Sequence, residues 1–172
     1  FYKSCVVKYR KLILSAVIGA LSGALAAAES MISVNILPGG RIGLANIALI
    51  IVVELYGFKE TAAVAMLKSV LALLITGSVT GFVYSVCGGI ASTFVMSACK
   101  RIKSVSLVGV GVSGAFANNV VQTAAAAVIM TNPYVLYYIG ILGPVSVVTG
   151  IFTGITAKMC IKYIDKKEIL YV

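Results

Sequence analysis

Six apolar runs follow one another between residues 12 and 157, and the basic residues fall almost entirely between them. The runs cover about residues 12–28, 42–57, 61–76, 82–99, 105–130 and 134–157. A helix needs about 20 apolar residues to cross the hydrocarbon of a bilayer. The shorter runs therefore imply tilted or partly buried spans. Charged residues make up 11% of the 172 positions and mean hydropathy is +1.08, whereas a soluble domain carries about 25% charge. A chain like this cannot cover a water-facing surface, which makes it an all-α integral membrane protein. Its first run leads straight into further spans and reads as a span, not as a cleavable leader.

The net charge of +9 would suggest nucleic acid in a soluble protein. Here its distribution says otherwise. Lys3, Lys8, Arg10 and Lys11 precede the first run, Lys59 follows the second, and Lys100, Arg101 and Lys103 follow the fourth. Lys158, Lys162, Lys166 and Lys167 end the chain. The intervening connections hold almost no cation except Arg41. Cytoplasmic loops collect Lys and Arg in this way, so the pattern predicts a six-transmembrane-helix bundle with both termini cytoplasmic. The expected surroundings are a lipid bilayer, with no nucleic acid. Tyr134, Tyr137 and Tyr138 fall at the outer interface and Tyr9, Tyr56 and Tyr163 at the inner one, as an aromatic belt does. No internal repeat is visible, which disfavours an inverted-repeat transporter.

The longest interruption between runs is residues 29–46, ESMISVNILPGGRIGLAN. It reads as an outer loop folded back toward the membrane, or as an ordinary connection. Its polar residues Glu29, Asn35, Arg41 and Asn46 are candidate substrate contacts, and Glu29 and Arg41 are placed to pair across it. Pro38, Gly39 and Gly40 let the backbone turn sharply. Ionisable groups within spans are costly and rare. Glu54 and Lys68 approach each other across the inner turn between spans two and three and read as structural, with Lys68 either bonded to Glu54 or snorkelling. The fifth span carries Asn118, Asn119 and Gln122 at mid-depth. Gly114, Asn118 and Gln122 share one helix face, and amides both donate and accept, which suits a ligand of mixed polarity. Interhelical hydrogen bonding is the alternative use. Tyr84, Ser85 and Ser92 on span four and Tyr137 on span six would complete a cavity opening outward.

In the first span small residues recur at Ala16, Ala20, Ala24 and Ala28, with Gly19 and Gly23 beside them. Such a strip lets another helix backbone come close, within the chain or from a partner subunit. Enzyme motifs are missing from the sequence. No GxxxxGK[ST] phosphate loop occurs. With no histidine there is no Ser/His/Asp set. Cys5, Cys87, Cys99 and Cys160 lack metal-site spacing. The carboxylates are too dispersed to hold the metal of diphosphate chemistry. No metal or cofactor is expected, and no catalytic residue of its own.

ES…PGGRIGLANI, GFKETAAVAMLKSVLALLITG, YSVCGGIAS and GAFANNVVQ, in this order, resemble the bacterial Gx transporter family, whose members carry the label heptaprenyl diphosphate synthase component I. The resemblance covers about residues 12–157. That family in turn is similar to the substrate-binding S components of energy-coupling factor (ECF) transporters, small six-helix proteins of the bacterial cell membrane. They capture micronutrients from outside and associate with a transmembrane T subunit and two ATPase subunits. The resemblance implies T-subunit contact through the strip Ala16, Ala20 and Ala24, to which the spacing adds Gly19 and Gly23 as candidate partner contacts, and a lid formed by the 29–46 loop. In the family pattern a histidine often precedes the asparagine of the fifth span. Asn118 stands there in this sequence, which removes a titratable group from that position. The leading expectation is thus the capture subunit of an ATP-driven importer of a small molecule. A non-catalytic membrane subunit of a prenyl diphosphate synthase is the alternative, and a self-sufficient carrier or channel is a third.

Overall fold

The computed structural model describes the backbone of residues 2–33, 43–102 and 104–170, and the side chains of 13–29, 43–102 and 104–163. Among these residues the chain forms six α-helices: α1 (Tyr2–Ser33), α2 (Asn46–Leu55), α3 (Phe58–Thr76), α4 (Val79–Lys100), α5 (Leu107–Ile129) and α6 (Ile139–Leu170). A 3-10 helix, Pro133–Tyr138, precedes α6. Local chemistry sets most of the helix ends. Ser78 and Ser106 cap α4 and α5 by accepting from the N–H groups of Gly81 (3.1 Å) and Gly109 (3.2 Å), as N-cap hydroxyls do. Asn132 accepts from the Tyr134 N–H at 3.0 Å, and Pro133 follows at the first helical position, where its missing N–H costs nothing. Gly77, left-handed at φ +66, ends α3 and needs no Cβ there. The uncharged stretch 77–81, expected as a loop, shrinks to Gly77 and Ser78, because the Ser78 cap starts α4 early.

The second run departs most from expectation. Instead of a span over 42–57, the described residues hold a ten-residue helix, α2. At 1.5 Å per residue it is about 15 Å long, half the hydrocarbon thickness. Its sequence, NIALIIVVEL, has no polar stripe, and all positions from Asn46 to Val53 are buried except the partly covered Ile47. A helix that is apolar all round belongs in a core, and α2 touches every other helix. The remaining helices pack in succession, α1 on α3, α3 on α4, α4 on α5 and α5 on α6. They wrap the short helix in an arc.

Glycine brings α5 and α6 together. A Cβ added at Gly150 would sit 2.5 Å from the Cα of Val112. One at Gly111 would sit 2.7 Å from the Gly150 carbonyl oxygen, and one at Gly154 2.8 Å from the Cα of Val108. Backbone meets backbone there, as small residues permit between membrane helices. The outer surface of the arc is apolar instead of charged: Leu21, Leu74, Phe94, Val128 and Val148 all lie largely exposed. Such a surface suits lipid. The stretches Val79–Lys100, Leu107–Ile129 and Pro133–Tyr163 are each long and apolar enough to cross a membrane.

Candidate functional site: a buried polar layer

The helix α2 is held at both ends by charges from other helices. At its start, the Glu29 carboxylate of α1, 3% exposed, accepts from the backbone N–H groups of Leu44 and, at 3.3 Å, Ala45. Ser22, also on α1, donates to the Ala45 carbonyl at 3.0 Å. At its finish, Lys100 of α4 donates to the carbonyls of Val53 (3.0 Å) and Glu54 (2.5 Å) and lies 3.6 Å from the Glu54 carboxylate. An anion at the N-terminus and a cation at the C-terminus both match the helix dipole. Lys100 and its neighbours Arg101 and Lys59 define one end of the bundle, called here the basic end. Glu29 and Asn46 lie toward the other.

This arrangement replaces the expected Glu54–Lys68 pair. Glu54 lies just before the turn at Tyr56 and Gly57, whereas Lys68 sits about three turns of helix beyond it. The antiparallel register therefore brings Lys68 beside the start of α2. Its ammonium donates to Asn46 Oδ1 at 3.3 Å and acts electrostatically on Glu29, with the side chain only 4% exposed. Sequence reasoning took this lysine for a structural partner at the basic end. Only the register of α2 against α3 could have moved it to the site.

From Lys68 a layer of buried polar groups continues across the bundle. Ser69 donates to Ser85 of α4 at 2.9 Å. One turn further along α4, Gly88 leaves room for the amides of α5: a Cβ there would meet Asn118 Oδ1 at 2.6 Å and Gln122 Nε2 at 2.9 Å. Gln122 donates to Asn118 at 3.2 Å, and Asn119 donates to Ser146 of α6 at 2.7 Å. Asn46, Ser85, Asn118, Asn119 and Gln122 are all buried. Four atoms near this layer lack a hydrogen-bond partner: Asn46 Nδ2, Ser92 Oγ, Asn119 Oδ1 and Gln122 Oε1. Orphaned buried polar atoms are rare and call for an account.

The other candidate residues are distributed differently. Tyr84 is half-buried against Ala126, Ala127 and Val135, beside the layer. Tyr137 is 79% exposed and stacks on Tyr134, ring centres 6.2 Å apart; it does not join the amides. Asn35 and Arg41 lie outside the described residues, as does the break at 38–40. The two strips of α1 part company. Gly19 and Gly23 face inward, where added Cβ atoms would strike Leu67 and Leu71 of α3 at 2.8 and 2.7 Å. Ala16, Ala20, Ala24 and Ala28 face outward. Gly88, Ser69 and Ser146 were not among the candidate site residues, and Lys100 entered only as one of the cations that follow the fourth run.

An all-helical chain with a lipid-suited exterior and a polar layer through its interior defines a multi-helix membrane protein. The model of one family, heptaprenyl diphosphate synthase component I, matches residues 18–160. The chain belongs to that family, whose description as a component agrees with a membrane-associated subunit. No curated protein and no solved structure gives a match.

Proposed function

We propose that the chain is the membrane-embedded capture subunit of an ATP-driven importer of the ECF type. It would take a small molecule from the outer side, beneath the 29–46 segment, and depend on a T subunit and two ATPase subunits for energy. In this reading the basic end faces the cytoplasm, as its cations favour, and the Glu29–Asn46–Lys68 cluster faces outward. The carrying observation is the buried polar layer in a chain with 11% charged residues. A lysine, a carboxylate and four amides buried together cost more than a membrane anchor needs. Their orphaned atoms include both donors and acceptors, so a ligand of mixed polarity fits better than a polyanion. The sequence has no phosphate loop, which is why energy has to come from partners. The outward strip Ala16, Ala20, Ala24 and Ala28 is the surface offered to the T subunit. Native mass spectrometry of the full chain, alone and co-expressed with T and ATPase subunits, tests this reading. A retained small molecule and a stable complex are expected; recovery of neither refutes it.

The family's name favours a second reading, a non-catalytic membrane subunit of a prenyl diphosphate synthase. It predicts a catalytic partner and a changed product chain length when the gene is deleted, with no effect on uptake.

A further inference from the structure

At the basic end a cleft of about 560 Å³ opens between the start of α3 and the end of α4, lined by Phe58, Lys59, Glu60, Phe94, Ser97 and Arg101 among others. Its volume lies within the range of about 300–1,000 Å³ usual for small-molecule sites. Two cations, Lys59 and Arg101, stand at it, and neither makes an ion pair among the described residues. Lys100, by contrast, is occupied with Glu54 and the end of α2. Glu60 leaves the lining with one net positive charge. Two further features favour an anion. The Ser97 hydroxyl is buried without a hydrogen-bond partner. The first N–H groups of α3 receive no side-chain cap, because Gly57 holds the N-cap position, and uncapped N–H groups attract anions.

Apart from its polar groups the lining is aromatic and aliphatic, with Phe58, Phe94 and Ala98, and the apolar surface continues beyond the cleft along α4. Ile90, Phe94, Ala98 and Arg101 follow one another along a single stripe of α4, all exposed. The stripe therefore runs from a guanidinium at the helix end to aromatic and aliphatic surface deeper in the membrane. Cationic at the rim and apolar below, this is the shape of an amphiphile. We infer that the cleft binds an anionic phospholipid of the leaflet at the basic end, its phosphate at Lys59 and Arg101 and an acyl chain along Phe94 and Ile90. A basic pocket between membrane helices recognises anionic head groups in this way.

The test titrates the purified full chain with short-chain phosphatidylglycerol, phosphatidylcholine and inorganic phosphate, read by native mass spectrometry. Lys59→Gln and Arg101→Gln should each weaken phosphatidylglycerol binding about fivefold, and together about thirtyfold, from the usual worth of one cation near an anionic surface. Phe94→Ala should weaken it as well. Lys158→Gln, exposed on α6 away from the cleft, should bind as the parent does. All four positions are exposed, and an unchanged elution volume on size exclusion verifies folding. Parent-like phosphatidylglycerol binding by the double variant overturns the assignment. So does an equal loss in Lys158→Gln, or inorganic phosphate binding as tightly as the lipid.

Discussion

Replacing Glu29 by alanine should destabilise the whole bundle. From the sequence alone Glu29 was a candidate substrate contact placed to pair with Arg41 across a loop. The structure instead buries the carboxylate at the start of the central helix. Glu29→Ala strips the acceptor from the N–H groups of Leu44 and Ala45, and each buried donor left unmatched costs about 1–3 kcal/mol. It also removes the negative charge that acts on buried Lys68. Losing an opposite charge that acts on a buried cation costs at most the roughly 3–5 kcal/mol of a broken buried pair, in the same range as the two donors together. These contributions overlap, so about 3–5 kcal/mol is expected in all. For a chain of this size each kcal/mol lowers Tm by about 2–4 °C, which predicts a fall of about 6–20 °C. Glu29→Gln keeps an acceptor oxygen and loses only the charge, so it should fall between alanine and parent. The assay is thermal unfolding in detergent followed by circular dichroism at the helix band, since the chain has no tryptophan to report by fluorescence. Adding Lys68→Met to Glu29→Ala should restore part of the loss, as coupled neighbours do. Equal melting of Glu29→Ala and the parent would refute the capping role.

Other consequences can be measured separately. Gly150→Ala forces a Cβ to within 2.5 Å of the Val112 backbone and should cost about 1–3 kcal/mol. Gly140→Ala, with open space around it, should be neutral or slightly stabilising, and identical melting of the two refutes the backbone contact. If a small molecule is retained, Asn119→Ala and Gln122→Ala should each weaken it up to about tenfold, the worth of one good hydrogen bond; unchanged retention removes the layer from the binding site. Removing the partly exposed Glu54–Lys100 pair by Glu54→Gln should change stability by at most about 1 kcal/mol, because Lys100 keeps its carbonyl partners; a larger loss contradicts that division. Single cysteines introduced at Tyr134 and at Arg101, in a background with Cys5, Cys87, Cys99 and Cys160 replaced by Ser, should label from opposite sides of the membrane. Labelling from one side refutes the proposed crossing pattern.

Membership of the membrane class was legible in the sequence, because the excess of apolar over charged residues leaves no other solvent for the surface. Helix ends were legible wherever local chemistry sets them, as at Ser106 and Asn132–Pro133. The burial of Asn118, Asn119 and Gln122 followed from their place inside an apolar run. What hydropathy cannot report is which apolar helix faces lipid and which faces protein, since both environments select the same residues. The tertiary structure alone made the second run a short core helix, assigned Gly19 and Gly23 to α3, and left the neighbouring alanines outward. It also redistributed the charges. Lys68 and Glu54 are near in sequence across a tight turn, but helical rise separates them. Glu29 and Lys100, remote in sequence from Asn46 and Glu54, are the residues that hold the two ends of α2. Spacing along the chain fixes what a residue costs to bury, and only the packing of helices decides which partner meets that cost.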